Sequence, residues 1–314
     1  MRYYFAPLEG LTDSIYRNTH HTYFPGVTRY YMPFLSPTVH RTLTAKEARE
    51  LPPADSVAFE AVPQLLTKVS GDFLWAAEQC RDLGYGEVNQ NLGCPSGTVT
   101  AKGKGSGLLR DPDTLDSFLY EIFAGAPLPI SVKTRLGFSN PEEFPRLLDI
   151  FNRYPIKELT IHPRVRSAFY DGAVNMDSFR YAVENSIAPV CFNGNLCSTA
   201  QIAAFHKECP QVEAVMLGRG LVGDPGMLSH GGTTAETLEA FMEELLARYL
   251  EAFGGSRNAM FRLKENWHYL IYRFDGAEKL YKRLRKTTDL EEYKSITKQI
   301  FHTLPFRQVL TPHW

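Results

Sequence analysis

The sequence predicts an α/β chain, a (β/α)8 TIM barrel followed by a small C-terminal all-helical domain. Short apolar runs rich in Val, Ile, Phe and Tyr recur through the first 220 residues, and polar segments long enough for a helix separate them. Gly-x-Gly-x-x-Gly, the mark of a doubly wound open sheet, is absent after the first run.

Eight runs can be counted, near residues 3–8, 27–31, 58–65, 86–92, 129–134, 157–162, 188–193 and 212–218. Apolar strands alternating with helices imply parallel pairing, and eight of them close into a cylinder. Helices are expected over 72–83, 111–124, 141–153, 176–185 and 198–207, several opened by Asp, Ser or Asn, whose side chains accept the first free N–H groups of a helix. Beyond Pro225 the pattern changes. Leu238, Phe241, Leu245, Leu246 and Tyr249 recur at helical spacing within 233–253, and 260–273, 275–286 and 289–303 also suit helices. The expected division is a catalytic barrel over 1–230 and a helical domain over 231–314.

The 314 residues exceed one minimal domain and suit a barrel of roughly 250 residues with an appendage. With 44% hydrophobic and 22% charged residues, a sizeable core can form without disorder dominating. No apolar run is long enough to span a bilayer, and Met-Arg-Tyr-Tyr-Phe-Ala-Pro leads into a strand rather than a signal peptide, so a cytoplasmic protein away from membranes is expected. Cys80, Cys94, Cys191, Cys197 and Cys209 make no Cys-x-x-Cys pair and no zinc spacing; they are read as reduced thiols, with no metal. The net charge of −1 excludes a uniformly basic coat. From Arg257 onward, however, twelve Lys and Arg residues stand against six acids.

In a barrel the chemistry sits on loops leaving the C-terminal strand ends. Pro7-Leu8-Glu9-Gly10 follows the first strand, Gln64 ends the third, and Asn91 to Cys94 end the fourth. Lys133 and Arg135 end the fifth strand, and His162 and Arg164 the sixth. Asn193-Gly194-Asn195 and Gly218-Arg219-Gly220 follow the last two; their backbone N–H groups could cradle a phosphate, with Arg219 adding charge. Ordinary turn chemistry is the plainer reading of those glycines. A lone cysteine is more often buried and inert, as expected for Cys191 in its apolar strand. Between Gly93 and Pro95 at a strand end, Cys94 is instead a candidate acid or nucleophile. An inward lysine after Leu-Pro-Ile-Ser-Val makes Lys133 a second candidate.

Six segments in order carry a resemblance: Ala-Pro-Leu-Glu-Gly-Leu-Thr-Asp at 6–13, Asn-Leu-Gly-Cys-Pro-Ser at 91–96, Gly-x-Gly-Leu-Leu-Arg-Asp-Pro at 105–112, Val-Lys-Thr-Arg-Leu-Gly at 132–137, Ile-His-Pro-Arg at 161–164 and Met-Leu-Gly-Arg-Gly at 216–220. Over about residues 3–225 the chain resembles the tRNA-dihydrouridine synthases, FMN-dependent reductases with a TIM barrel and a helical RNA-binding domain. The resemblance implies hydride transfer from reduced FMN to C6 of a tRNA uridine, with NADPH or NADH as reductant. It makes Cys94 the acid that protonates C5, a role that suits a thiol with an ordinary pKa of about 8.5. It implies FMN contacts for Pro7, Leu8, Glu9, Gln64, Lys133, His162, Asn193, Gly194, Asn195, Gly218 and Arg219, and uracil contacts for Asn91, Arg135 and Tyr170. The basic helical segment with Lys279, Lys282, Arg283, Arg285 and Lys286 around Tyr281 would bind tRNA, and the chain would act as a monomer.

Departures from the family pattern are local. Gly97 stands where the family often has lysine, with Lys102 and Lys104 following; Pro163 and Val165 replace Gly and Thr; Asn195 stands where an acid is common. Two other readings stay open at this point. An FMN barrel reducing a free pyrimidine or small enone, such as a dihydroorotate-dehydrogenase relative, would turn over without RNA, and an RNA-binding helper would bind tRNA without a yellow cofactor.

Overall fold

A computed structural model describes residues 1–312. Each apolar run becomes a strand: β1 (Arg2–Phe5), β2 (Arg29–Tyr31), β3 (Ala61–Val62), β4 (Gln64–Leu65), β5 (Val88–Leu92), β6 (Ile130–Arg135), β7 (Leu159–His162), β8 (Val190–Phe192) and β9 (Ala214–Leu217). The eight expected runs yield nine strands because Pro63 divides the third, having no N–H to give to a ladder. β3 pairs with β2 and β4 with β5, both in parallel. The sheet order is β3-β2-β1-β9-β8-β7-β6-β5-β4, so the first and last members are two halves of one backbone stretch, and the ring closes through residues 61–65.

Register sets the inner face. Asn89 lies opposite Ser131, Asn91 opposite Lys133, Lys133 opposite Thr160, Arg135 opposite His162, and Thr160 opposite Cys191. Because side chains alternate along a strand, these residues share a face with the interior cluster of Tyr4, Ala6, Tyr31, Val62, Cys191, Ala214 and Met216. At the N-terminal strand ends the interior is closed by charge. Glu158 accepts from the Tyr4 hydroxyl at 3.0 Å and faces Arg2 at 3.4 Å; Glu87 meets Arg29 at 3.2 Å and Lys157 at 2.7 Å. The opposite strand ends remain for chemistry.

Helices Ser70–Asp82, Pro112–Gly125, Phe144–Phe151, Met176–Asn185 and Thr199–Glu208 appear where expected. Asp111 caps the second of these, accepting from the N–H groups of Asp113 and Thr114 at 3.2 Å, with Pro112 in the first turn. Four α-helices among the described residues escaped the sequence reading: Ser14–Tyr23, Ala45–Glu50, Gly97–Thr100 and Arg219–Gly223. Ser14–Tyr23 contains Asn18, Thr19, His20, His21 and Thr22, a polar run that masks its helical period, and Ala45–Glu50 is a short helix closed by a Thr44–Glu47 capping box.

The chain forms two compact units. One comprises Met1–Pro7, Thr28–Gly194 and His206–Met216 and contains the barrel; the other comprises Leu8–Val27, Asn195–Phe205 and the chain from Leu217 onward. In the second unit the C-terminal region is helical, with Ala235–Phe253, Ser256–Leu270, Glu278–Lys286 and Leu290–Thr303. Trp267 anchors its core, donating its indole N–H to the Tyr293 hydroxyl at 3.0 Å, and Phe274 meets Phe301 edge to face. Helix Ser14–Tyr23 presents Tyr16 to the ring of Phe241 at 5.5 Å, and its cap Asp13 accepts from the Tyr249 hydroxyl at 2.9 Å. Among the described residues no helix is long and apolar enough to cross a membrane.

Candidate active site

A chain of amides runs across the C-terminal end of the barrel interior. Asn89 donates to the Ser131 hydroxyl at 2.9 Å and accepts from Gln64 at 2.8 Å; the Gln64 oxygen accepts from Asn91 at 2.7 Å. The Asn91 oxygen then accepts the backbone N–H groups of Gly93 at 3.0 Å and Cys94 at 2.9 Å. Gln64 and Asn89 are fully buried, where an unpaired amide would cost about 1–3 kcal/mol, so each member locks the next. The end of this chain is the turn that carries the thiol.

The turn is also held from its far side. The Cys94 carbonyl accepts from the Ser106 hydroxyl at 2.7 Å and from its N–H at 3.2 Å. Gly105 is required there: its φ is +56°, and a Cβ would lie 3.0 Å from both the Cβ and the carbonyl oxygen of Cys94. Cys94 itself is half-buried, whereas the other four cysteines are buried. The backbone that carries this half-buried thiol is thus fixed from both sides.

Arg135, 2% exposed, ties this turn to the loop after β7. Its Nε donates to the Gly93 carbonyl at 2.9 Å, and its Nη1 to the carbonyls of Val165 at 3.0 Å and Phe169 at 2.6 Å. Phe169 takes a positive φ of 46°, unusual for a bulky residue, where its carbonyl meets Arg135. Arg166 repeats the link, donating to the Pro95 carbonyl at 3.2 Å with its guanidinium 5.0 Å from the Phe169 ring. Tyr170 stands exposed at 44%, its ring 5.3 Å from the Arg135 guanidinium and edge-on to His162.

His162 is neutral: burial first, then Arg135, Lys133 and Arg164, push its pKa well below the usual histidine value. Its Nε2 lies 3.2 Å from Nη1 of Arg164, which can only donate, so the ring proton sits on Nδ1 and goes to the Asn193 carbonyl at 2.7 Å. The Asn193 amide in turn donates to the Met216 carbonyl at 2.8 Å, linking the ends of β7, β8 and β9. Pro163 fits without disruption because Arg164 N–H bonds back to the His162 carbonyl at 2.7 Å, a tight turn whose central φ matches proline.

Lys133 sits among these groups with no hydrogen-bond acceptor among the described residues. Burial first, then Arg135, push its pKa down to about 8. A desolvated ammonium with donors to spare suits an electron-rich ring edge, as the FMN implied by the sequence resemblance would bring. Gln64 is less free than expected, since Asn89 and Asn91 already engage its amide.

The second unit carries Leu8, Glu9, Asn195, Gly218 and Arg219. Residues 8–12 form a turn in which the Leu8 carbonyl accepts from Leu11 and Thr12 at 3.0 Å; its Gly10, at φ +84°, accepts at the carbonyl from Arg262 at 2.6 Å. Arg219 donates to the Asn195 side-chain oxygen at 3.1 Å. A neutral amide at 195 orients the guanidinium without cancelling its charge.

Sequence reasoning missed the scaffolding residues Asn89, Ser131, Ser106 and Arg166, none of which stands out without its partner in view. It named Lys102 and Lys104 in the Cys94 loop but missed that Lys68 joins them. Burial first, then Lys102 and Lys68, hold the Lys104 ammonium below its usual pKa; Lys104 donates to Ser36 at 3.0 Å, and a Cβ at Gly103 would meet the Lys68 ammonium at 3.3 Å.

A family model described as dihydrouridine synthase matches residues 4–304. Among curated proteins, the chain is 27% identical over 318 residues to the probable tRNA-dihydrouridine synthase 1 of Synechocystis sp., covering 95% of this chain and 86% of that one. It is 28% identical over 225 residues to tRNA-dihydrouridine synthase B of Pasteurella multocida, covering 71% and 67%. Among solved structures, morphinone reductase superposes with a TM-score of 0.51 at 11% identity, covering 72% of this chain and 84% of that one. The old yellow enzyme homologue from Zymomonas mobilis does so with a TM-score of 0.50 at 11% identity, covering 71% and 86%. These structural likenesses concern the barrel fold.

Proposed function

The chain belongs to the dihydrouridine synthase family, and from that premise we propose that it reduces a uridine of tRNA to 5,6-dihydrouridine with FMN as cofactor and Cys94 as acid. When bound and reduced by NADPH or NADH, FMN supplies the hydride taken by C6 of the uracil. Cys94 then delivers the proton of its Sγ to C5, where negative charge develops. Asn91 acts on this step as a positioning residue, since its oxygen holds the Cys94 N–H. Lys133 offers its ammonium to the N1/O2 edge of the flavin, and Gln64, Pro7, Leu8, Glu9 and His162 surround the ring system. Asn193, Gly194, Asn195, Gly218 and Arg219 hold the ribityl chain and phosphate.

On the uracil side the reading assigns Asn91, Arg135 and Tyr170. Tyr170, exposed and edge-on to His162, is the member an extruded base would stack against. Arg135 supports it from beneath the loop. The helical region 231–314 docks tRNA, and Lys68, Lys102 and Lys104 contact phosphate in place of the lysine that Gly97 lacks.

The observation that carries this reading is a backbone-locked, half-buried Cys94 on the loop after β5, electrostatically coupled to a Lys133 ammonium that has no acceptor among the described residues. Mass mapping of dihydrouridine in tRNA from cells lacking the protein tests it. Loss at a defined position supports the reading, and an unchanged map rejects it.

A further inference from the structure

The amphipathic helix Glu278–Lys286 does not present its basic residues uniformly. Leu284 is buried in the core, and Arg283 turns aside to Glu292 at 3.6 Å. Tyr281, Lys282 and Arg285 lie at helical spacing on another face, and with Lys286 they line a cleft of about 570 Å³ completed by Tyr272 and Arg307. One carboxylate, Glu278, also lines it. Arg307 is already paired with Asp275 at 2.6 Å, which leaves Lys282, Arg285 and Lys286 as the cations facing the opening.

The cleft has an aromatic wall held in place. The Tyr281 hydroxyl lies 3.2 Å from Nδ1 of His268, and the Arg285 guanidinium stands 5.9 Å from the Tyr281 ring centroid. Contacts to a paired RNA backbone need charge on an open surface and gain nothing from a recess walled by tyrosine. A ligand matching both features is flat and aromatic at one end and anionic at the other, which describes a nucleotide out of its stack. We propose that this cleft captures one unstacked nucleotide of the tRNA, other than the uridine that is reduced, with its base on Tyr281 and its phosphate at Lys282 and Arg285. The inference rests on the tRNA reading above and gives the helical region a specific grip in addition to a general field.

The test is equilibrium binding of the FMN-loaded protein to an unmodified tRNA transcript across a salt series. Tyr281→Ala should weaken binding between about 5- and 150-fold, the range for loss of one base–aromatic stack, while leaving the salt slope unchanged. Tyr281→Phe should bind within about twofold of the parent, which separates loss of the ring from loss of the fold. Arg285→Ala should weaken binding and lower the salt slope by about one. Lys298→Ala, a charge outside the cleft, should lower the slope less than Arg285→Ala does. Parent-like binding by Tyr281→Ala overturns the inference and leaves the tRNA reading standing; failure of the parent protein to bind tRNA overturns that reading itself. Free UMP should compete only at millimolar concentration. Micromolar UMP binding with tRNA affinity insensitive to Tyr281 would make the cleft a free-nucleotide site and reject the proposal.

Discussion

The side-chain oxygen of Asn91 accepts the backbone N–H of Cys94 at 2.9 Å, so a residue within β5 sets the direction of the thiol beyond it. Asn91→Ala would leave the N–H groups of Gly93 and Cys94 and the Gln64 oxygen without this partner. The expected outcome is retained FMN with dihydrouridine formation reduced at least about tenfold, the equivalent of about 1.4 kcal/mol in the barrier. Stability should fall by about 1–3 kcal/mol, read in a denaturant titration. A variant with parental single-turnover rates would show that the turn is held by other contacts.

Burial first, then Arg135, disfavour the charge of Lys133 and push its pKa down to about 8. The sign follows directly: the buried ammonium destabilises the fold below about pH 8, and this cost is relieved as the pH rises from there toward the unfolded value of about 10.4. An electron-rich partner prefers the charged form, so FMN affinity should fall by about tenfold between pH 7 and pH 9 as Lys133 loses its proton. Flavin fluorescence titrations of apoprotein would measure it, and Lys133→Met should bind weakly with a flattened profile. A pH-independent parental affinity would remove Lys133 from flavin contact.

Arg135 reaches three carbonyls on two loops from one planar group, which the single ammonium of lysine cannot do. Arg135→Lys should lose about 2–4 kcal/mol of stability. Hydrogen exchange should accelerate at 93–96 and 165–170 together. Faster exchange in only one of these loops would break the proposed coupling.

Two glycines of the Cys94 loop should respond oppositely. Gly105→Ala puts a Cβ against Cys94 at a positive φ, so turnover should drop while FMN stays bound. Gly97 is exposed and a Cβ there meets nothing within 4 Å, so Gly97→Lys should change stability by less than about 0.5 kcal/mol. It should also strengthen tRNA binding and steepen its salt dependence. Weaker tRNA binding by Gly97→Lys would contradict the assignment of this loop to the RNA side.

Strands and most helices were legible because their apolar periods survive in the sequence, down to the residues on the inner face of β6. What the sequence hid were relationships in which one partner is backbone. Arg135 stands at a strand end, and nothing in the sequence shows that its guanidinium also donates to the carbonyls of Gly93, Val165 and Phe169. Asn91 likewise directs its oxygen to two N–H groups that no motif reveals. The split of one strand at Pro63 is visible in retrospect, since proline cannot donate to a ladder. Helix Ser14–Tyr23 was hidden for the opposite reason: its buried positions include Arg17, Thr19 and His20, which carry no apolar period. The Lys68–Lys104 cluster joins segments 36 residues apart, a distance only the fold closes.

The most direct measurement mixes NADPH-reduced protein with unmodified tRNA in the absence of oxygen and follows flavin absorbance alongside the mass of the target nucleoside. The parent protein should regain its oxidised flavin spectrum as one uridine gains two hydrogens, while Cys94→Ala, equally loaded and equally bleached by NADPH, should yield no dihydrouridine over the same interval. Equal product from both proteins, or a parent protein that cannot be loaded with FMN, would contradict the account.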